Sequence, residues 1–311
     1  MLRNRLFLIF IFSIMVLEAF SQGKHYIDHQ KSYQKTEKIY ADLQNNEANR
    51  LRVLSYNVFN GFQGQDSIMK GFSSWVRKLD PDIIAFQEMN GFTPEKLQAL
   101  GERIGYSYTV LQKITGHPLA IISKYPFQEV KILNEGMWHG ILYVKINGYH
   151  LFNTHLDPKT YQARRDESST LIQHIKMIDK KEKIMIMGDF NNMSPQDRDF
   201  YDYNAEKLRL LRNTEKNHPG ITVLHNDAID YTPIRNVLSA GFYDSFYLTR
   251  NVFDKTAPTK VRKHNNFTRI DYIFVNKPLR KKVKQSAIIK DKFTDFMSDH
   301  YPVYIELECE K

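Results

Sequence analysis

The residues of this chain that could do chemistry stand where apolar runs stop. Leu51–Tyr56 leads into Asn57, and Ile83-Ile-Ala-Phe86 into Gln87 and Glu88. Leu151-Phe-Asn-Thr154 leads to His155, and Ile184-Met-Ile-Met187 to Gly188-Asp189-Phe-Asn191. Asp271 begins a run behind Arg269 and Ile270, and Ser298-Asp299-His300 precedes Tyr301-Pro-Val303. A short apolar run bounded by Gly and polar residues reads as a buried strand reaching its edge, and ligands in sheet proteins sit where strand ends open into loops. Asp189 and Asn191 are two apart, so on a strand end they could face one side. There a carboxylate supplies a metal or water ligand and an amide a neutral hydrogen-bond partner. The same pair also suits a capped turn before a helix. One such ending is a turn, whereas six carrying Asn, Glu, His and Asp point to a single convergent site.

Those ends need strands to hold them. Strand-like runs cover Leu51–Tyr56, Asp82–Gln87, Leu119–Ser123, Ile141–Ile146, Tyr149–Thr154, Ile184–Gly188, Ile270–Val275 and Pro302–Leu307. Helical periodicity marks Asp66–Leu79, Thr93–Ile104, Thr160–Lys180 and Thr232–Ala240. Asn147-Gly148 between two strand runs is a strong hairpin signal. Hairpins mixed with helices predict an α+β or layered fold with mixed sheets. Thr214–Asn226 and Asp254–Asn266 read as long loops, and Gln22–Arg50 as a polar lead-in helix or linker.

The ordered set SYNV, AFQE, NTHLD, GDFNN, RIDYIF and SDHYPV resembles the endonuclease/exonuclease/phosphatase superfamily from about Leu51 to Glu308. That family includes pancreatic-type deoxyribonuclease, abasic-site endonucleases, bacterial neutral sphingomyelinases and inositol polyphosphate phosphatases. The resemblance implies a four-layered α/β sandwich, two mixed β-sheets face to face and flanked by helices. It implies that Glu88 and Asn57 hold a divalent cation, usually magnesium, with manganese or calcium as substitutes, and that Asp299 lies near an alternative metal position. It makes Asp189 and Asn191 the pair that positions the attacking water and contacts the scissile phosphate. His300 matches a histidine held by an aspartate, here Asp271, and His155 the other histidine of the phosphate pocket. Whether His300 is a base or an electrostatic clamp, and whether His155 is an acid or a phosphate ligand, stays open. So does a structural ion pair of Asp271 with Arg269. Arg165 resembles a bracing arginine, but the adjacent Arg164 leaves the register ambiguous. His117 lies near where abasic-site endonucleases carry a tyrosine and is a candidate substrate contact.

Composition limits the rest. At 42% hydrophobic and 13% aromatic, the 311 residues can bury a sizeable core. Arg3 and Arg5, the apolar run Leu6–Leu17 and Ala19-Phe-Ser21 read as a signal peptide, residues 1–21, cut after Ser21. The run is short of the ~20 residues that span a bilayer, so no stable membrane anchor is expected after cleavage. With Cys309 as the only cysteine no intramolecular disulfide can form, which suits a bacterial periplasmic or secreted enzyme. The catalytic domain is then 51–311, following the 22–50 lead-in, with a monomer as the default. The formal charge of +9 favours polyanions, and the runs Lys260–Lys263 and Arg280–Lys284 are candidate phosphate contacts or plain solvated faces. Together these readings predict a magnesium-dependent phosphodiesterase acting on nucleic acid. A phospholipid or small-molecule phosphoesterase is the alternative, and a non-catalytic phosphate-binding module is the reading from another class.

Overall fold

The computed structural model describes residues 29–43, 49–250 and 252–309, so the predicted signal segment lies outside the described residues. The chain runs through α1 (His29–Leu43), β1 (Arg50–Asn57), α2 (Asp66–Leu79), β2 (Ile83–Gln87), α3 (Pro94–Ile104), β3 (Tyr108–Leu111) and β4 (Ala120–Ser123). It continues with β5 (Glu129–Leu133), β6 (Ile141–Ile146), β7 (Tyr149–His155), α4 (Tyr161–Ile175), β8 (Lys183–Asp189) and α5 (Ala205–Asn217). It ends with β9 (Leu224–His225), β10 (Ala228–Ile229), α6 (Thr232–Ser239), β11 (Phe242–Asp244), β12 (Asp271–Asn276), β13 (Val283–Ile288) and β14 (Val303–Glu308). Short helical turns lie between several of these elements.

Two six-stranded sheets form, ordered β13-β14-β1-β2-β4-β3 and β11-β12-β8-β7-β6-β5. Both are mixed, because β1–β2 and β7–β8 pair in parallel and their other neighbours antiparallel. Side chains alternate across a strand, which sorts each strand's apolar residues into two cores. Val53, Ile83 and Ile121 of the first sheet meet Leu151, Met185 and Ile273 of the second in the central core. Their neighbours Leu54, Ile84 and Phe86 face outward against Phe72, Val76 and Leu97 of α2 and α3. On the other side Phe152, Ile186 and Phe274 pack on Leu171, Ile175 and Ile234 of α4 and α6. The result is the four-layered sandwich that the resemblance implies.

The helices start and stop where local chemistry says. Thr93 caps α3 by accepting the Lys96 N–H at 3.3 Å, and Thr160 caps α4 by accepting that of Ala163 at 3.1 Å. Helix α4 stops at Ile175, short of Lys180, in a turn that Asp179 fastens by accepting the Lys181 N–H at 2.9 Å. The Asn147-Gly148 turn has both residues at positive φ, 49° and 76°, and joins the paired Ile146 and Tyr149 as predicted. The stretch expected as a loop from Thr214 is helical as far as Asn217, because α5 extends through it, and β9 and β10 form a small ribbon beyond. Asp254–Asn266 lacks regular secondary structure, as expected.

Helix α1 turns one face to the body through Ser32, Thr36 and Ile39, which are buried, and Tyr40, which is partly so. Ser32 donates to Asp254 at 3.0 Å, and Thr36 accepts the Lys290 N–H at 3.0 Å. Tyr33 donates to Asp295, and Tyr40 donates to Asp291 at 2.5 Å. The lead-in is therefore a strap over the 290–295 segment, which runs on to Asp299 and His300.

Candidate active site

Strand register assembles the site. His155 closes β7 directly opposite Asp189 on the parallel β8, and Asp189 stands opposite Asp271 on the antiparallel β12. Partners in one row point to one face, so these three side chains share a row at the sheet edge. In the other sheet Asn57 pairs with Gln87 on the parallel β2, which places Glu88 one residue past the strand end. Gly188 lets β8 come close to β7. A Cβ there would lie 1.9 Å from the Thr154 carbonyl oxygen, and the backbone has φ +135°.

Asn57 joins the two edges. Its Nδ2 donates to Glu88 Oε1 at 3.1 Å and to Asp189 Oδ2 at 3.0 Å. Glu88, at φ 60°, also accepts the Asn60 N–H at 3.0 Å through Oε2. Burial alone would push Glu88 up, but the charge that His155 takes on in acid, the Asn60 donor, the His300 charge and the Asn57 donor hold it below its ordinary value. It stays ionised, and each oxygen accepts one of these hydrogen bonds, which leaves lone pairs for a cation.

Asp189 is 1% exposed, and burial raises its proton affinity, with the Glu88 charge adding to the effect. Its Oδ1 accepts the Asn191 N–H at 2.8 Å, and its Oδ2 lies 3.4 Å from His155 Nε2 and 3.8 Å from His300 Nδ1. Asn191, at φ 46°, spends one amide hydrogen on the Leu156 carbonyl at 2.9 Å and keeps the other. His300 Nδ1 meets the Asp271 carboxylate at 2.9 and 3.1 Å. Burial works against a charged His300, yet the negative charges of Asp271 and Asp189 raise it well above its ordinary value, so the ring is an imidazolium. Arg269, the other possible partner of Asp271, is committed to Asp197 at 2.8 Å and Asp244 at 2.5 Å. Asp299 flanks the cluster, 4.0 Å from His300 Nε2, and accepts from Arg262 Nε at 3.3 Å.

His155 behaves differently. Burial lowers it to about 4, so it is neutral at neutral pH, and its Nδ1 has no hydrogen-bond partner among the described residues. It stacks on His139 with centroids 4.2 Å apart, and His117 meets His139 edge-on at 5.1 Å. His117 thus stands at the outer end of a file of three rings, away from the strand-end row. His139, which burial lowers to about 2, carries no sequence signal because only tertiary stacking places it. The arginine ambiguity also resolves. Arg164 is buried and donates to Asn192 Oδ1 at 3.1 Å, whereas Arg165 turns outward to Asp230.

Asp189, Asp271 and His300 lie within 4.8 Å of one another and could by distance alone share an ion. The imidazolium already fills that position as a cation, so the three read as a hydrogen-bonded triad. Asn57, Glu88 and Asp299 offer the oxygen ligands that a hard divalent cation prefers, although Asn57 Oδ1 also accepts the Phe59 N–H at 3.0 Å and keeps only one lone pair for it. Next to His300 opens a recess of about 270 Å³ lined by Arg164, Asn191, Met193, Arg262 and His264. Of the Lys260–Lys263 run, Arg262 lines this recess, whereas Lys260 is paired with Asp295 at 2.6 Å. The Arg280–Lys284 run lies at the opposite end of the sheet, beyond Asn276 of β12, and cannot contact a substrate in this cleft.

The family model for the Endonuclease/Exonuclease/phosphatase family matches residues 54–300. Among solved structures, an AP endonuclease from Archaeoglobus fulgidus superposes with TM-score 0.62 at 20% identity, over 82% of this chain and 98% of that one. The 3′ phosphatase NExo from Neisseria bound to product DNA hairpin gives 0.61 at 18% identity, over 83% and 99%. The 3′-5′ exonuclease NExo from Neisseria meningitidis gives 0.59 at 19%, over 83% and 100%. No curated protein sequence matches the chain.

Proposed function

The chain belongs to the endonuclease/exonuclease/phosphatase family of metal-dependent phosphoester hydrolases, and from that premise we propose an exported, magnesium-dependent phosphodiesterase that cleaves nucleic acid. One observation carries the catalytic part: His155, Asp189 and Asp271 stand in register across three strands, with Asn57 linking Asp189 to Glu88. Asn57, Glu88 and Asp299 would hold the cation. When bound, it neutralises charge on the phosphoryl and leaving oxygens.

The side chains supply the rest. Asp189 orients a water and takes its proton, a task that its raised proton affinity favours. Asn191 offers its remaining amide hydrogen to a phosphate oxygen without repelling the cation. His300 acts as a clamp, because an imidazolium already held by Asp271 has no lone pair with which to serve as a base. Neutral His155 contributes a ring hydrogen bond, and the His139 stack fixes its plane.

Nucleic acid as substrate is supported by Arg262 in the recess wall, the room there for a sugar-sized group, and the product DNA hairpin bound to one structural neighbour. A phospholipid reading has one supporting feature, Trp138, 53% exposed beside His139 and covered by Lys159 at 4.3 Å. Export rests on the basic, apolar and small-residue pattern of residues 1–21. The test is turnover by purified protein, with magnesium or with EDTA, of plasmid DNA, RNA, sphingomyelin, phosphatidylcholine, bis-p-nitrophenyl phosphate and p-nitrophenyl phosphate. Magnesium-dependent cleavage of DNA or RNA and of the diester is the expected pattern. Turnover confined to the monoester or to lipid would overturn the proposal.

A further inference from the structure

At the end of the second sheet away from the catalytic row lies a recess of about 1150 Å³ between α4, α6 and the start of β8. Its floor is aliphatic and aromatic, with Ile172, Ile175, Ile178, Ile184, Phe242 and Pro278. Its rim is cationic. The two segments that border it, 176–183 and 277–284, hold nine Lys and Arg against two acids, Asp179 and Glu182. Lys284 pairs with Glu308 at 2.8 Å and Arg280 covers Tyr243 at 4.4 Å. Among the described residues Lys176, Lys180, Lys181, Lys277 and Lys281 have no acid partner within salt-bridge distance, and Met177 beside them is 86% exposed.

We propose that this face docks on an anionic lipid bilayer, taking a lipid chain into the recess and neighbouring headgroups on the lysine rim. The floor requires an apolar body and the rim an anion, and an anionic lipid carries both in one molecule. Nucleic acid suits the rim but not the floor, because Phe242 is only 5% exposed and Arg280 covers the Tyr243 ring, which leaves mainly aliphatic surface where bases would need open aromatic faces or base-edge donors. Lysines beside an apolar surface are the combination that holds proteins peripherally on anionic bilayers. Docking here leaves the catalytic cleft at the far end of β8, facing water. The inference therefore does not depend on which phosphoester that cleft cleaves.

The experiment is co-sedimentation of the protein spanning residues 22–311 with two kinds of vesicle. One is phosphatidylcholine alone, and in the other phosphatidylglycerol replaces a third of it. Binding to the second kind only, weakening with salt, is expected. The triple variant Lys180→Glu, Lys181→Glu, Lys281→Glu should lose at least about a hundredfold in affinity, since each cation near an anionic surface contributes about fivefold and reversal adds repulsion. Met177→Asp should weaken it as well. Turnover of bis-p-nitrophenyl phosphate by both variants should match the wild type, which shows that they fold. Monomeric decyl phosphate should compete with the vesicles for the wild type. Equal binding to both vesicle types, undiminished binding by the triple variant, or a DNA duplex held by this face more tightly than vesicles would overturn the proposal.

Discussion

Asp271→Asn tests the most specific electrostatic feature of the site. Asp271 lies 2.9 Å from His300 Nδ1, both groups are largely buried, and its charge is the largest influence keeping the ring protonated against burial. A Coulomb estimate across that gap at an effective dielectric of about 20 gives about 6 kcal/mol before any desolvation is subtracted. A hydrogen bond to a charged group contributes a net of about 1.5–3 kcal/mol, and this is the better guide because it includes exchange with water. That energy corresponds to a downward shift of about 1–2 pKa units, and with the variant ring titrating near 6.5 the protonated fraction falls to about a tenth at pH ~7.5, so the expected loss in turnover there is about tenfold. The pH profile discriminates further. His300 works as a cation, so activity is present below its pKa and lost as pH rises through it. In the wild type that loss lies well above the ordinary histidine value, whereas in the variant it should move down towards about 6.5. The assay is the pH–rate profile of bis-p-nitrophenyl phosphate hydrolysis at saturating magnesium. A variant within twofold of wild type, with an unmoved alkaline limb, would refute the clamp assignment.

Three other substitutions probe the scaffold. Gly188→Ala should destabilise the fold by about 2–3 kcal/mol or more, because the new Cβ meets the Thr154 carbonyl at 1.9 Å in a strained conformation, and an unchanged urea midpoint would contradict this. Tyr40→Phe should cost about 1–2 kcal/mol through the bond to Asp291, with Trp75 still donating to that carboxylate at 2.7 Å; a variant as stable as wild type would show that the strap is not held there. Burial lowers Lys207 from 10.5 to about 7, so between those values the unfolded chain binds more protons than the folded one. The stability of wild type relative to Lys207→Met should therefore rise with pH across that window, by at most about 1.4 kcal/mol per pH unit. Denaturation at neutral and mildly alkaline pH reads it, and a constant difference would be the contrary result.

The core strands and the strand-end polar residues were legible because their patterns are local. Val53 and Leu54 alternate between two cores, and Asp189 follows a glycine that ends an apolar run. Helix α5 was missed because its buried positions are Lys207 and Leu211, and a lysine on the inner face breaks the apolar stripe. Edge strand β5 was missed because Glu129-Val-Lys-Ile-Leu133 is largely exposed and lacks a buried face. Arg164 and Arg165 are about 100° apart around one helix, and only the fold shows which faces Asn192. His139 is placed by contacts with residues far away in the chain.

The most direct measurement is cleavage of an end-labelled oligonucleotide by metal-stripped protein as magnesium is added back, compared between wild type and Glu88→Gln. The expected result is silence in EDTA, recovery with magnesium, and a loss of about 10²–10³-fold in the folded variant. Cleavage that persists in EDTA, or a Glu88→Gln protein as active as wild type, would contradict a phosphoesterase centre built around Glu88.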